Sequence, residues 1–278
     1  MAEAHMFARV VQSGDIVEVY TYKNAIKVGH TRDYEIVRKD GSEIDGTEEK
    51  REDNLYRSRQ NVRRIIWANM GQYTKFITLT YAETVLDRET VVKDIKTFVL
   101  AMRRRGYDMK YLYVLENQKE RGEREGNEGC LHVHMVLFID EYIPYEVLNQ
   151  CWKKGSTNIN AIDSVRNLGA YVCKYITKDA CRVWGSHVYG VSRGLNRPVE
   201  EHMYSDVGGY SDNVYDGIHP NDIVNALDVT FTSTMRYDYR DTDGVGRSQT
   251  VVYRQGKWRD GNIIEQRTEC PWDDVEEI

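Results

Sequence analysis

The stretch LHVHMVLFI (131–139) decides the fold. It reads as a strand: a compact apolar run interrupted only by His132 and His134. Side chains two apart on a strand point to one side, so both imidazoles can converge on a single ion. Such a pair is also an ordinary half-buried feature of strands. Working outward, YLYVLE (111–116) and KFITLTY (75–81) are two further strands, and residues 88–105 between them carry a helical period. After the His pair come a short helix over YEVLNQCW (145–152), a short strand over TNINAI (157–162), and a helix from Ser164 to about Lys178. Upstream, residues 6–29 read as one or two strands and 50–69 as a charged helix. This order predicts an α+β fold with a central antiparallel sheet and helices packed on one face of it. Residues 224–266 are strand-rich, so the chain divides into an N-terminal part (1–74), a core (75–200) and an acidic, strand-rich C-terminal extension (201–278).

Two groups of side chains carry chemistry. A hairpin between 111–116 and 131–139 brings Glu116 beside His132 and His134. Two imidazoles and a carboxylate suit a divalent ion that keeps positions open for substrate oxygens. On the last core helix, Tyr171 and Tyr175 are four apart and share a face, with Lys174 and Lys178 on the neighbouring stripe. Val165, Leu168, Val172 and Ile176 form its buried stripe, and amphipathic packing alone explains much of that pattern. Together the groups make a coherent machine. An ion polarises a phosphate, and a tyrosine oxygen attacks it after activation from a free pKa of about 10.

Composition bounds the rest. The 278 residues include 20 Tyr and only 5 Phe. The net charge is −6, but residues 201–278 hold 7 Lys+Arg against 16 Asp+Glu, which leaves the remainder at +3. The five cysteines form no C-x-x-C pair, which argues against a zinc or disulfide framework and for a reducing compartment. No run approaches the roughly 18 apolar residues of a membrane span, and the N-terminus lacks a signal pattern. The expected location is the cytoplasm, with no membrane partner.

These motifs resemble the HUH endonuclease superfamily, specifically phage and plasmid replication-associated proteins related to the gene II protein of filamentous phages. FITLTY (76–81) resembles the first motif of that family, LHVHMVLF (131–138) its metal motif, and AYVCKYITKD (170–179) its catalytic motif, with two tyrosines as in microvirus initiators. YGVSRGLNRP (189–198), Trp152 and Gly155 fit the same pattern. The resemblance covers roughly 75–198. It implies an HUH/RRM-like sheet, cleavage of single-stranded DNA at a replication origin, a 5′-phosphotyrosine and a free 3′-OH, with Mg²⁺ or Mn²⁺ on His132, His134 and Glu116. Tyr175 is expected to cut first and Tyr171 to act in strand transfer, assisted by Lys174 and Lys178. Arg103, Arg104, Arg105, Arg193 and Arg197 are expected to hold phosphates. No G-x-x-x-x-G-K-[ST] occurs, so strand separation and synthesis fall to a host helicase and polymerase, in the host cytoplasm if the source is a phage. The competing reading is a non-catalytic, RRM-like single-strand-binding module that stacks bases on Tyr81, Tyr111 and Tyr113. Histidine-triad, cupin and relaxase patterns fit poorly, because Val136, Phe138 and Ile139 stand where the first two need ligands and the tyrosines follow the histidines.

Overall fold

A computed structural model of the protein describes residues 5–27, 46–118, 129–160, 165–176, 189–205, 219–240 and 246–260. The strands are β1 (His5–Ser13), β2 (Ile16–Lys27), β3 (Lys75–Tyr81), β4 (Lys110–Asn117), β5 (Leu131–Phe138), β6 (Gly155–Asn160), β7 (Tyr189–Val191), β8 (Val199–Ser205), β9 (Leu227–Arg240) and β10 (Gly246–Trp258). The helices are α1 (Gly46–Asn69), α2 (Arg88–Arg104), α3 (Tyr145–Cys151), α4 (Val165–Cys173) and α5 (Pro220–Asn225). Two antiparallel sheets result, ordered β8-β1-β2-β10-β9 and β6-β3-β5-β4-β7. Among the described residues, no helix is long and apolar enough to cross a membrane.

Contacts group Asp45–Arg197 into one unit and Met1–Ile44 with Pro198–Ile278 into another. In the latter, β1 pairs with β8 and β2 with β10, so segments from both ends of the chain share one sheet. Phe7, Val10, Val17 and Val19 bury one face of it with Met203, Ile223 and Leu227. The sequence boundaries at 74 and 200 cut along the chain, whereas this sheet gathers segments from both sides of them.

The unit over Asp45–Arg197 has β5 at its centre. Val133, Met135 and Leu137 pack with Ile95, Phe98 and Met102 of α2 and Leu148 of α3. Val136 and Phe138 pack on the other face with Val62, Ile65 and Ile66 of α1 and Leu168 and Val172 of α4. Helices therefore cover both faces of this sheet, not one as the element order predicted. The physical reason lies in β5 itself: it is apolar on both sides, and each side must be removed from water. α2 starts where the Asp87 carboxylate accepts from the backbone N–H groups of Glu89 and Thr90. It stops before Gly106, whose φ of 91° suits a residue without Cβ.

α4 is shorter than predicted, ending at Cys173 rather than near Lys178. The backbone tightens: the N–H groups of Tyr175 and Ile176 donate to the carbonyls of Val172 and Cys173, three residues back. The Ile176 carbonyl accepts from Nε and a terminal nitrogen of Arg59 at 3.1 and 2.7 Å, a cap supplied by α1 in place of another turn. The helices lie close, since a Cβ on Gly169 would meet Arg63 Cγ at 2.9 Å. Ser164 and Lys178 lie outside the described residues.

Candidate active site

β5 carries His132 and His134 on the face covered by α1 and α4, at the end that these helices leave polar. Both are buried, 5% and 4% exposed. The neighbouring strands continue the polar patch. Thr78 on β3 and Val114 on β4 oppose His134, while Glu116 opposes His132. Thr78 Oγ1 lies 3.2 Å from His134 Nδ1, and Thr80 Oγ1 lies 3.4 Å from His132 Nδ1. Asn160 on β6 donates to Thr78 Oγ1 at 3.4 Å. The third predicted ligand reaches the pair: Glu116 Oε2 lies 2.7 Å from His134 Nε2. That hydrogen bond holds the Glu116 carboxyl below the usual carboxylate range, against the opposing effect of burial. Among the described residues, no three His, Cys, Asp or Glu side chains form a ready-made metal cluster.

The two tyrosines meet this patch. The Tyr175 ring stacks on His134 with centroids 3.5 Å apart and planes 16° apart. Phe76 supports both rings, stacked on His134 at 5.9 Å and on Tyr175 at 6.2 Å. The Tyr175 hydroxyl donates to the Tyr171 hydroxyl at 2.9 Å. Tyr171 is the more exposed of the two, at 37%. Burial pushes the Tyr175 phenol well above its ordinary range, and the Tyr171 hydroxyl and the Glu116 charge push it further. Lys174 Nζ sits 3.5 Å from the centre of the Tyr171 ring and 5.5 Å from that of Tyr175, where a cation meets the electron-rich face.

The other predicted residues scatter. Arg103 and Arg104 occupy the last turn of α2, on the opposite face of the sheet from the histidines. Arg105 is engaged there with Cys151 Sγ and Gln150 Oε1. Arg193 and Arg197 are exposed in the segment after β7. Leu195 anchors that segment in the core beside α1, and Asn196 bonds to Asn69 and Ala68 at the end of α1. β7 runs beside β4 so that Val191 opposes Leu112, which puts Arg193 near Lys110, about 20 Å along β4 from Glu116. Trp152 Nε1 donates to the Thr80 carbonyl, and a Cβ on Gly155 would collide with the same oxygen. Both residues therefore fix the end of β3 beside the site. Tyr81 and Tyr113 are buried under α2, and the Tyr81 hydroxyl donates to Asp94. They are not the exposed stacking platform that the binding-module reading requires.

Sequence reading passed over Thr78, Thr80 and Phe76. The signal was present: T-x-T on β3 has the same two-residue period as H-x-H on β5, so antiparallel pairing sets hydroxyls against imidazoles.

Fold and site together define an α+β sheet protein that presents two histidines, a carboxylate and two tyrosines at one end of one face. Residues 74–180 match the family model of the replication-associated proteins that groups ORF2 with the phage gene II protein, and in this segment the chain belongs to that family. The match spans β3 through α4 and so contains every residue of the His-Glu-Tyr patch; its role is that of a replication initiator. No curated protein and no solved structure matches the chain.

Proposed function

We propose that the protein initiates rolling-circle replication as an HUH-type tyrosine endonuclease, cutting single-stranded DNA at an origin. The observation that carries this reading is the stack of Tyr175 on His134, with the Tyr171 hydroxyl 2.9 Å from that of Tyr175. Two candidate nucleophiles thus adjoin metal-type donors. His132, His134 and Glu116 fit Mg²⁺ or Mn²⁺. They offer two nitrogens and a carboxylate, and a divalent ion can take the place of the proton between His134 Nε2 and Glu116 Oε2. Once bound, such an ion offsets charge on the scissile phosphate.

The chain's own residues do the rest. The attacking phenol oxygen forms a bond to phosphorus, and the bond from phosphorus to the 3′ oxygen breaks. The phenol proton leaves, the 3′ oxygen takes up a proton, and the 5′ end stays on tyrosine. Tyr175 makes the first cut. Tyr171, already bonded to its hydroxyl, holds its proton path and serves in rejoining. Lys174 and Lys178 hold phosphate charge. The free 3′-OH feeds a host polymerase, and a host helicase separates the strands. The competing single-strand-binding module loses its support with the burial of Tyr81 and Tyr113.

The test is a labelled single-stranded origin oligonucleotide incubated with protein and Mn²⁺, then resolved on a denaturing gel. Wild type is expected to form a covalent adduct that Tyr175→Phe abolishes, while Tyr171→Phe nicks without rejoining. Undiminished adduct in the double Phe variant would remove the tyrosine mechanism.

A further inference from the structure

Thr78 and Thr80 stand at the inner nitrogens of the two histidines, and hydroxyl chemistry says what they do there. An ionised carboxylate only accepts hydrogen bonds, so His134 Nε2, 2.7 Å from Glu116 Oε2, carries the proton. In the neutral ring Nδ1 is then an acceptor, and the group facing it, Thr78 Oγ1 at 3.2 Å, must donate. A metal on Nε2 demands the opposite tautomer, with the proton on Nδ1 and an acceptor opposite it. A carboxylate or carbonyl at that place serves only the second state, and an ammonium serves only the first. A hydroxyl serves both by rotating its hydrogen. Asn160 Nδ2, a donor, approaches Thr78 Oγ1 at 3.4 Å, which occupies one lone pair and leaves one for Nδ1–H. Thr80 stands to His132 Nδ1 at 3.4 Å on the next row of the same face. The arrangement is built by register: Thr78 opposes His134, and the two-residue period carries the match to Thr80 and His132.

We propose that Thr78 and Thr80 are positioning residues whose hydroxyls hold the imidazoles in either tautomer, so that His132 and His134 take up a divalent ion without turning in the sheet. On loading, each neutral ring loses its Nε2 proton and gains one on Nδ1 through solvent, so the ring keeps a single proton. The inference rests on the metal-assisted reading above.

The experiment titrates Mn²⁺ into wild type, Thr78→Val, Thr80→Val and both Ser variants, following binding by calorimetry. Histidine ¹⁵N shifts with and without a diamagnetic Mg²⁺ load are recorded in parallel. Valine keeps the shape and removes the hydroxyl, so thermal unfolding is expected to hold within a few degrees. Mn²⁺ affinity is expected to fall about 10- to 100-fold in each Val variant and to return with Ser. The His134 proton is expected on Nε2 without metal and on Nδ1 with it. Equal affinity in wild type and the Val variants, or a His134 proton on Nδ1 in both states, overturns the role of the threonines alone. No Mn²⁺ binding by wild type overturns the metal-assisted reading and this inference with it.

Discussion

The two faces of the β6-β3-β5-β4-β7 sheet are built from the same strands and do different work. On the α2 side, β5 presents Val133, Met135 and Leu137, and apolar packing runs through to Trp152 and Leu148. On the α1 side it presents Val136 and Phe138 at one end and His132 and His134 at the other. The first face is a seal, whose atoms gain by leaving water. The second is a seal over half its length, and where α4 stops the sheet turns polar and the tyrosines come in. A chemical group held on a strand inherits the rigidity of the packed half beside it, which is how a site is kept in register.

The sharpest way to break this contrast is to cut one residue from each face of β5. His134→Gln keeps a donor for Glu116 and most of the volume, but it removes the imidazole nitrogen. Adduct formation is expected to fall at least about a hundredfold, with thermal unfolding nearly unchanged. EDTA should mimic the loss in wild type. Leu137→Ala, on the sealed face and fully buried, should cost about 2–5 kcal/mol of stability. Nicking per folded molecule should stay near wild type. If the two variants swap phenotypes, the division of labour between the faces is wrong.

The same contrast explains what could be read in advance. β3, β5 and α2 stand in the structure within a residue or two of their sequence bounds. Each is short, strongly patterned and closed by residues that stop it, such as Asp87 and Gly106. The His pair and Glu116 were legible because a hairpin of adjacent strands is local. The end of α4 was not, because Ile176 continues the apolar period while the cap on its carbonyl comes from Arg59, 117 positions away. The pairing of β2 with β10 was equally hidden: Tyr20 meets Tyr253 across most of the chain, and no local pattern encodes such a partner. The use of both sheet faces was legible in the doubly apolar β5, although element order alone hides it.

A smaller effect tests which face DNA follows. Lys174 lies over the tyrosine rings, Arg193 and Arg197 lie on the α1 side toward the far end of β4, and Arg103 and Arg104 lie across the sheet. Replacement by Ala should weaken single-strand binding most at Lys174, less at Arg193 and Arg197, and least at Arg103 and Arg104. Each lost phosphate contact should lower the slope of log affinity against log salt by about one. Measured across a series of salt concentrations, the reverse order would move the strand to the α2 side.

The smallest expected effect lies in the seam between α1 and α4, which supports the polar end from behind. Cys173 Sγ donates to the Arg59 carbonyl at 3.2 Å, and burial pushes its thiol up to about 11, against the pull of Arg63 and Arg59. The thiolate is the reactive form, so at about pH 8 alkylation of Cys173 should run on the order of a hundredfold slower than that of a free cysteine. Arg59 also caps the Ile176 carbonyl, one residue past Tyr175. Arg59→Ala removes that cap, and the turn carrying Tyr175 should open more often. Alkylation of Cys173 should then quicken about three- to tenfold, as local opening exposes the thiol, while global unfolding shifts little. Mass spectrometry of the Cys173 peptide over time reads the rate directly. An unchanged rate would mean that the stacking of Tyr175 on His134, not the cap from α1, holds this turn in place.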